Sequence, residues 1–277
     1  MAPYSPSNPA PNPAPTAMSG PALLEGADWF DANWMWFSAV LCPLSLLAIC
    51  LASTGSTAQK LRNPYVVGWL SVPFYLSHQV EEHGYDVRGW RYAFVPGFNH
   101  GVGATLFKEC QNLGHTACPV DPKMTTYINV AAIWMGFSVT MLLAHYLGGR
   151  YAHLGFFSWG TSIVNAFGGH LLPWVFDGYN AGAVQSIFMF VFGVFFISQH
   201  GCRFASLCLL NGLLFHGIAF GAGVNIVLKG FAPQEVEVLF CVGSATLIPL
   251  ALAKCAAPCG VGGLGRWPQQ YDAYKTK

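Results

Sequence analysis

The run Leu76-Ser77-His78-Gln79-Val80-Glu81-Glu82-His83 ends an apolar stretch that begins near residue 64. On an α-helix His78, Glu81 and Glu82 stand at i, i+3 and i+4 and share one face. An imidazole and two carboxylates so placed can hold a metal ion, as Glu-x-x-His pairs do in carboxylate-rich helical bundles. They can equally serve as a general acid and base, because adjacent carboxyl groups resist double ionisation. The plainer alternative is a solvated helix end. Two acids and a histidine on one face are more than such an end needs.

Two further pairs share one spacing: Asn165 with His170, and Asn211 with His216. Each is followed by a turn and another apolar stretch, Asp177-Gly178-Tyr179-Asn180-Ala181 and Lys229-Gly230-Phe231-Ala232-Pro233. The pattern predicts an internal repeat of helix, turn, helix. A lone histidine in a membrane helix often only bonds a neighbouring helix, and that reading weighs more on His216 than on His170.

The elements that must position these residues follow from composition. Of 277 residues only 9% are charged and 53% are hydrophobic, with mean hydropathy +0.43. Soluble domains carry about a quarter charged residues. A soluble globule of this size is therefore excluded. With a net charge of +1 and no basic stripe, nucleic-acid binding is excluded as a main function. The expectation is an all-α polytopic transmembrane bundle of about seven spans, near 32–53, 64–83, 125–147, 153–176, 181–199, 204–228 and 234–253. The chain divides into a disordered Pro/Asn/Ala-rich segment at 1–30, a membrane domain at 31–254 and a short tail at 255–277.

Placing the N-terminus outside puts eight Lys and Arg inside and five outside, four of the five in the loop 84–124. Long loops weigh less in this rule, so the bias favours an outside or lumenal N-terminus and a cytoplasmic C-terminus. Spans two, four and six then run outward. At about 1.5 Å per residue, His78 and His170 lie roughly 8 to 9 Å below the outer ends of their spans, with Asn129 and Gln185 at a similar or shallower depth. His216 lies deeper, at roughly 18 Å by the same arithmetic. Of the charged residues only Glu81, Glu82, Glu235 and Glu237 fall inside the spans, the last two in a first turn near water. The loop 84–124 adjoins Glu82 and holds Arg88, which can bind an anionic head group or pair with Asp86 or Glu109. Loops of this length are often lids. Cys110 and Cys118 in that loop are equally readable as a disulfide or as two thiols, while Cys42, Cys50, Cys202, Cys208 and Cys241 read as packing residues.

His78-Gln79-Val80-Glu81-Glu82 followed by His83-Gly84-Tyr85 resembles the signature of the HXXEE-motif family of small membrane proteins. Ile128-Asn129-Val130 with Trp134, Asn165-Ala166 with His170, and Tyr179-Asn180-Ala181-Gly182 resemble further family elements in the same order, over about residues 64–199. The Asn-to-His spacing is one residue longer than the family form, and Ala181 stands where the family turn has proline. The resemblance implies an enzyme linked to a metal and leaves the reaction unnamed.

Three functions compete. The first is a membrane-embedded enzyme acting on a lipid or other hydrophobic substrate. His78, Glu82, His170 and His216 would hold a divalent metal, zinc or iron. Glu81, Glu82, Asn129 and Asn165 would serve catalysis, and Arg88, Asn211, Gln185 and Tyr179 would contact substrate. The second is metal-free acid/base chemistry of the sterol or terpenoid isomerase or cyclase type. The third is a proton-coupled transporter or sensor, disfavoured because the polar residues gather at one leaflet. The His-x3-His and His-x2-His-His boxes of membrane hydroxylases are absent, and Arg88 is too far along for the Glu-Glu-x3-Arg spacing of prenyl-protein proteases.

Overall fold

The computed structural model describes residues 20–110 and 118–256. Among them the chain is all-helical, and its one β-contact is an isolated bridge between Tyr85 and Arg91. Seven helical rods make up the body. They are α1 (Trp29–Ala52), α2 (Pro64–Gln79), α3 (Pro122–Leu147), α4 (154–177), α5 (Ala183–Ser198), α6 (Cys202–Leu228) and α7 (Val236–Ala256). Four of these, α1, α3, α6 and α7, are long and apolar enough to cross a membrane. Part of the segment expected to be disordered is ordered: Gly20–Leu23 forms a helical turn whose Leu23 is buried, and residues 1–19 lie outside the described residues, as does the tail from 257.

Local sequence explains the starts. Asn63 accepts hydrogen bonds from the Tyr65 and Val66 amides, with Pro64 at the first helical position of α2. Asp121 caps α3 through the Met124 amide at 2.7 Å, again with a proline next. Inside four rods the backbone widens into π-helical turns: Val80–Gly84 continuing α2, Val130–Phe137 in α3, Asn165–Leu171 in α4 and His216–Gly223 in α6. Such turns are rare and concentrate at functional sites. Three of them begin at, or directly follow, a residue singled out by its chemistry (Asn129, Asn165 and His216), and the fourth contains Glu81 and Glu82.

Small residues let the rods approach. Gly155 on α4 meets Gly68 on α2, and Gly160 on α4 lies against the Cys208 backbone and Gly212 on α6. A lipid environment gives little hydrophobic drive between helices, so close van der Waals crossings and interhelical hydrogen bonds do that work. Trp159 Nε1 donates to the Val67 carbonyl at 2.8 Å, and Thr140 Oγ1 to the Ala245 carbonyl at 2.6 Å.

The loop 84–124 is ordered over its described residues. It forms Phe94–His100 and Val102–Leu106 and buries Tyr92, Val95 and Phe107 against Trp34, Met35 and Met124. Cys110 and Cys118 are joined as a disulfide, which decides between the two readings of that pair. Asn99 clamps the returning strand of chain by donating to the Val120 carbonyl at 2.8 Å and accepting from its amide.

A side chain at Gly160 would strike the Cys208 backbone. Gly160→Leu is expected to cost about 2 kcal/mol or more through overpacking, read as a lower unfolding midpoint in detergent. Leucine at Gly243, where a Cβ meets nothing, is expected to leave the midpoint unchanged.

Candidate metal centre

α2 and α4 bring His78, Glu82 and His170 together. One ligand atom from each lies within 4.8 Å of the others, and all three residues are buried. His78 Nε2 is 3.4 Å from Glu82 Oε2, and His170 Nε2 is 3.5 Å from Glu82 Oε1. In a tetrahedral site with bonds of about 2.0 to 2.1 Å, neighbouring ligand atoms sit about 3.4 Å apart. Two of the three edges already have that length.

The outer partners fix which nitrogen of each ring points inward. His78 Nδ1 lies 3.1 Å from the Gly182 carbonyl, which can only accept, so Nδ1 carries the proton. His170 Nδ1 lies 2.7 Å from Asn180 Oδ1, whose amide nitrogen is already committed to the His170 carbonyl at 2.9 Å. Both Nε2 lone pairs therefore face the same carboxylate. His170 Nε2 is buried and has no hydrogen-bond partner. Two lone pairs aimed at a carboxylate repel unless a cation or a proton stands between them. The donor set, two imidazoles and a carboxylate with outer hydrogen bonds, suits zinc or ferrous iron. Asn165 Nδ2 lies 3.1 Å from His78 Nε2 and must yield for a cation to reach it. Turned over, the same amide would present Oδ1 as a further oxygen donor.

One turn supplies most of that outer support. Tyr179, Asn180 and Gly182 respectively hold Glu81, His170 and His78. Gly182 has φ +92°, and a Cβ there would meet His78 Cε1 at 2.7 Å and His170 Cε1 at 2.8 Å. Only glycine fits beneath both rings.

Glu81 does not join Glu82. It accepts from Tyr179 Oη at 2.8 Å, the Val184 amide at 3.2 Å and the Gln185 amide at 2.7 Å. It thus caps the start of α5, whose own cap residue, Gly182, has no side chain to do so. The shared face expected for His78, Glu81 and Glu82 assumed a regular α-helix. The π-helical turn Val80–Gly84 re-aims the two glutamates, leaving only the His78–Glu82 contact. The contacts of Glu81 are those of a helix cap, with Tyr179 and the first amides of α5.

The remaining sequence-derived residues divide. Asn129 is close by: its Nδ2 lies 3.2 Å from His83 Nε2, and its Oδ1 accepts from Gln79 Nε2 at 3.2 Å. Gln79 in turn accepts from Ser38 Oγ at 2.8 Å and Trp134 Nε1 at 3.3 Å, tying α1 and α3 to α2. Gln185 reaches the site through its backbone, and its side chain accepts from Ser77. Arg88 pairs with Asp86 at 2.8 Å and lies over the Trp90 and Tyr179 rings, not on a carboxylate of the site. Asn211 donates to the Phe157 carbonyl and Thr161 as a lock between α4 and α6. His216 bonds the Gly212 carbonyl of its own helix at 2.7 Å and stands outside the three-residue group. Its greater depth was the sequence-level sign of this.

The sequence alone assigns no site role to His83, Asn180, Gly182 or Phe94. His83 Nε2 sits 3.1 Å from Glu82 Oε2. Phe94, from the loop, covers the site, its ring 5.1 Å from that of His170 and 5.9 Å from that of His83. The turn residues were visible as a motif; which nitrogen each would hold was not.

No family model matches the chain, and no curated protein or solved structure matches it either.

Burial and then the Glu81 carboxylate push the Tyr179 phenol well above its ordinary range. A raised acidic group favours folding fully below its unfolded pKa, about 10 for tyrosine, and less as pH climbs beyond it. Tyr179→Phe is expected to lose about 0.5 to 1 kcal/mol at neutral pH and to flatten the alkaline decline of the unfolding midpoint. Gly182→Ala is expected to displace both imidazoles, seen by nitrogen NMR as loss of the two Nδ1–H tautomers. Unchanged imidazole signals in that variant would contradict the packing described.

Proposed function

We propose that the chain is a membrane-embedded, metal-dependent enzyme acting on a lipid or other hydrophobic substrate. One observation carries the reading: two buried imidazoles of fixed tautomer point their free nitrogens at one buried carboxylate. The HXXEE-family resemblance supports it, since each of the four motif elements contributes a group around Glu82 or the residues that hold it.

A divalent cation bound there would polarise a substrate carbonyl or make water more acidic. His78, Glu82 and His170 would hold it, and Asn180 and Gly182 would keep both rings oriented. Asn165 would swing from His78 toward substrate or cation. His83, 3.1 Å from Glu82, would receive or supply the proton that moves in the reaction. Phe94 would exclude water from the closed site and move aside to admit substrate from the bilayer. The chemistry is hydrolytic or acid/base, in the class of lipid metabolism.

The same reading takes α2, α4 and α5 as spans too, giving seven, with the N-terminus and the loop 84–124 outside or lumenal and the C-terminus cytoplasmic. The Cys110–Cys118 disulfide fits a loop in an oxidising compartment. The α4–α5 and α6–α7 pairs are a duplication in which one copy kept the site. Asn165 meets His78 and His170 faces Glu82, whereas Asn211 and His216 serve helix backbones.

Metal analysis of the purified protein tests this. Wild type should hold about one equivalent of zinc or iron, and Glu82→Gln and His170→Ala should hold none while keeping the wild-type helical spectrum. His216→Ala should retain the metal. Metal-free wild type that refuses both ions would overturn the reading and leave the metal-free isomerase as its successor. Lipid extracts from cells with and without the chain would then name the substrate.

A further inference from the structure

Away from the Glu82 cluster, a groove of about 420 Å³ opens where α1, α3 and α7 begin. Its floor is apolar, formed by Phe30, Val130, Met135 and Val238, and its upper wall carries Asp28 and Asp31. A second hollow shares Asp28, Asp31 and Lys123 with it, so the acids stand at the junction of the two. The groove lies on a different side of α3 from Asn129. Thr126, Tyr127 and Val130 line it, while Asn129 reaches His83.

Asp31 is the unusual member. It is 8% exposed, and no hydrogen bond or ion pair engages its carboxylate among the described residues. Asp28 occupies the cap position of α1 without making a side-chain cap bond. Neither acid is thus spent on its own helix. The helix dipole favours a carboxylate in the first turn but forms no hydrogen bond to it, which leaves its oxygens able to accept from a ligand. The one cation on the groove wall, Lys123, is already paired with Glu235 at 3.1 Å. Asp28 and Asp31 therefore have no ion-pair partner among the described residues, above a floor that reaches exposed apolar surface at Phe30 and Met135.

We propose that this groove binds a membrane amphiphile bearing an ammonium head group. Its nitrogen lies against Asp31 and Asp28, and its chain runs over Phe30, Met135 and Val238. Charge complementarity selects the head, and the position between three helices that begin at the same face selects a molecule from the bilayer. The site is separate from the metal centre, and either can fail without the other.

The test uses the full chain in phosphatidylglycerol nanodiscs with a photoreactive dodecylamine and the matching dodecanol, each normalised to probe held in the disc. The amine should label the 28–31 and 130–135 segments at least about ten-fold more than the alcohol, the ratio expected for one charge-assisted contact. Asp31→Asn should remove that preference with the metal content unchanged. Equal labelling by the two probes in wild type would overturn the proposal without recourse to any variant. So would an amine preference that survives in folded Asp31→Asn. Competition by ethylamine as strong as by dodecylamine would overturn the assignment to an amphiphile.

Discussion

Glu82 is a carboxylate buried in an apolar bundle, and its only ion-pair partners among the described residues are three imidazoles. No lysine or arginine among the described residues pairs with it. Leaving an anion in such surroundings without compensation costs far more than a folded chain can spare. Positive charge must be present, as protons on the histidines or as a cation between them. The outer hydrogen bonds hold both rings with Nε2 toward the carboxylate, the orientation that either source of charge requires. Much of the architecture serves this one group: the π-helical turns, the close glycine beneath the rings, and the loop folded over the top.

The two adjacent glutamates divide their labour. Glu82 turns into the cluster, and Glu81 turns out to cap α5 and to receive the Tyr179 hydroxyl. Glu81 thereby fastens the turn that holds both histidines. Its carboxylate is satisfied by two amides and a hydroxyl, so it needs no cation of its own. The polar string Ser38, Gln79, Asn129, His83 then ties α1 and α3 to the same centre. The bundle is thus organised around hydrogen bonds as much as around packing, as expected where lipid removes most of the hydrophobic drive between helices.

Much of this was legible in the sequence because membrane chemistry makes polar residues conspicuous. His78, Glu82, Asn165 and His170 stood out against an apolar background, and three of them form the candidate centre. What could not be read was anything set by a departure from regular helix. The π-helical turn at Val80–Gly84 separated Glu81 from Glu82, which 3.6-residue periodicity had put on one face. The spacing shared by Asn165/His170 and Asn211/His216 suggested a common helix-turn-helix repeat, but spacing does not say what lies opposite. Asn211 met the Phe157 carbonyl, and His216 met its own helix. The loop carried no periodicity because a disulfide and a few buried aromatics order it, not an amphipathic pattern.

The His78 and His170 imidazoles and the Glu82 carboxylate are proposed as an open metal site. Cobalt(II) titration of chelator-treated protein, followed by visible absorption, tests it most directly. The account predicts intense ligand-field bands of four-coordinate cobalt with nitrogen and oxygen ligands, saturating at one equivalent and absent in His78→Ala and His170→Ala. Weak bands of six-coordinate cobalt, identical in wild type and both variants, would contradict it.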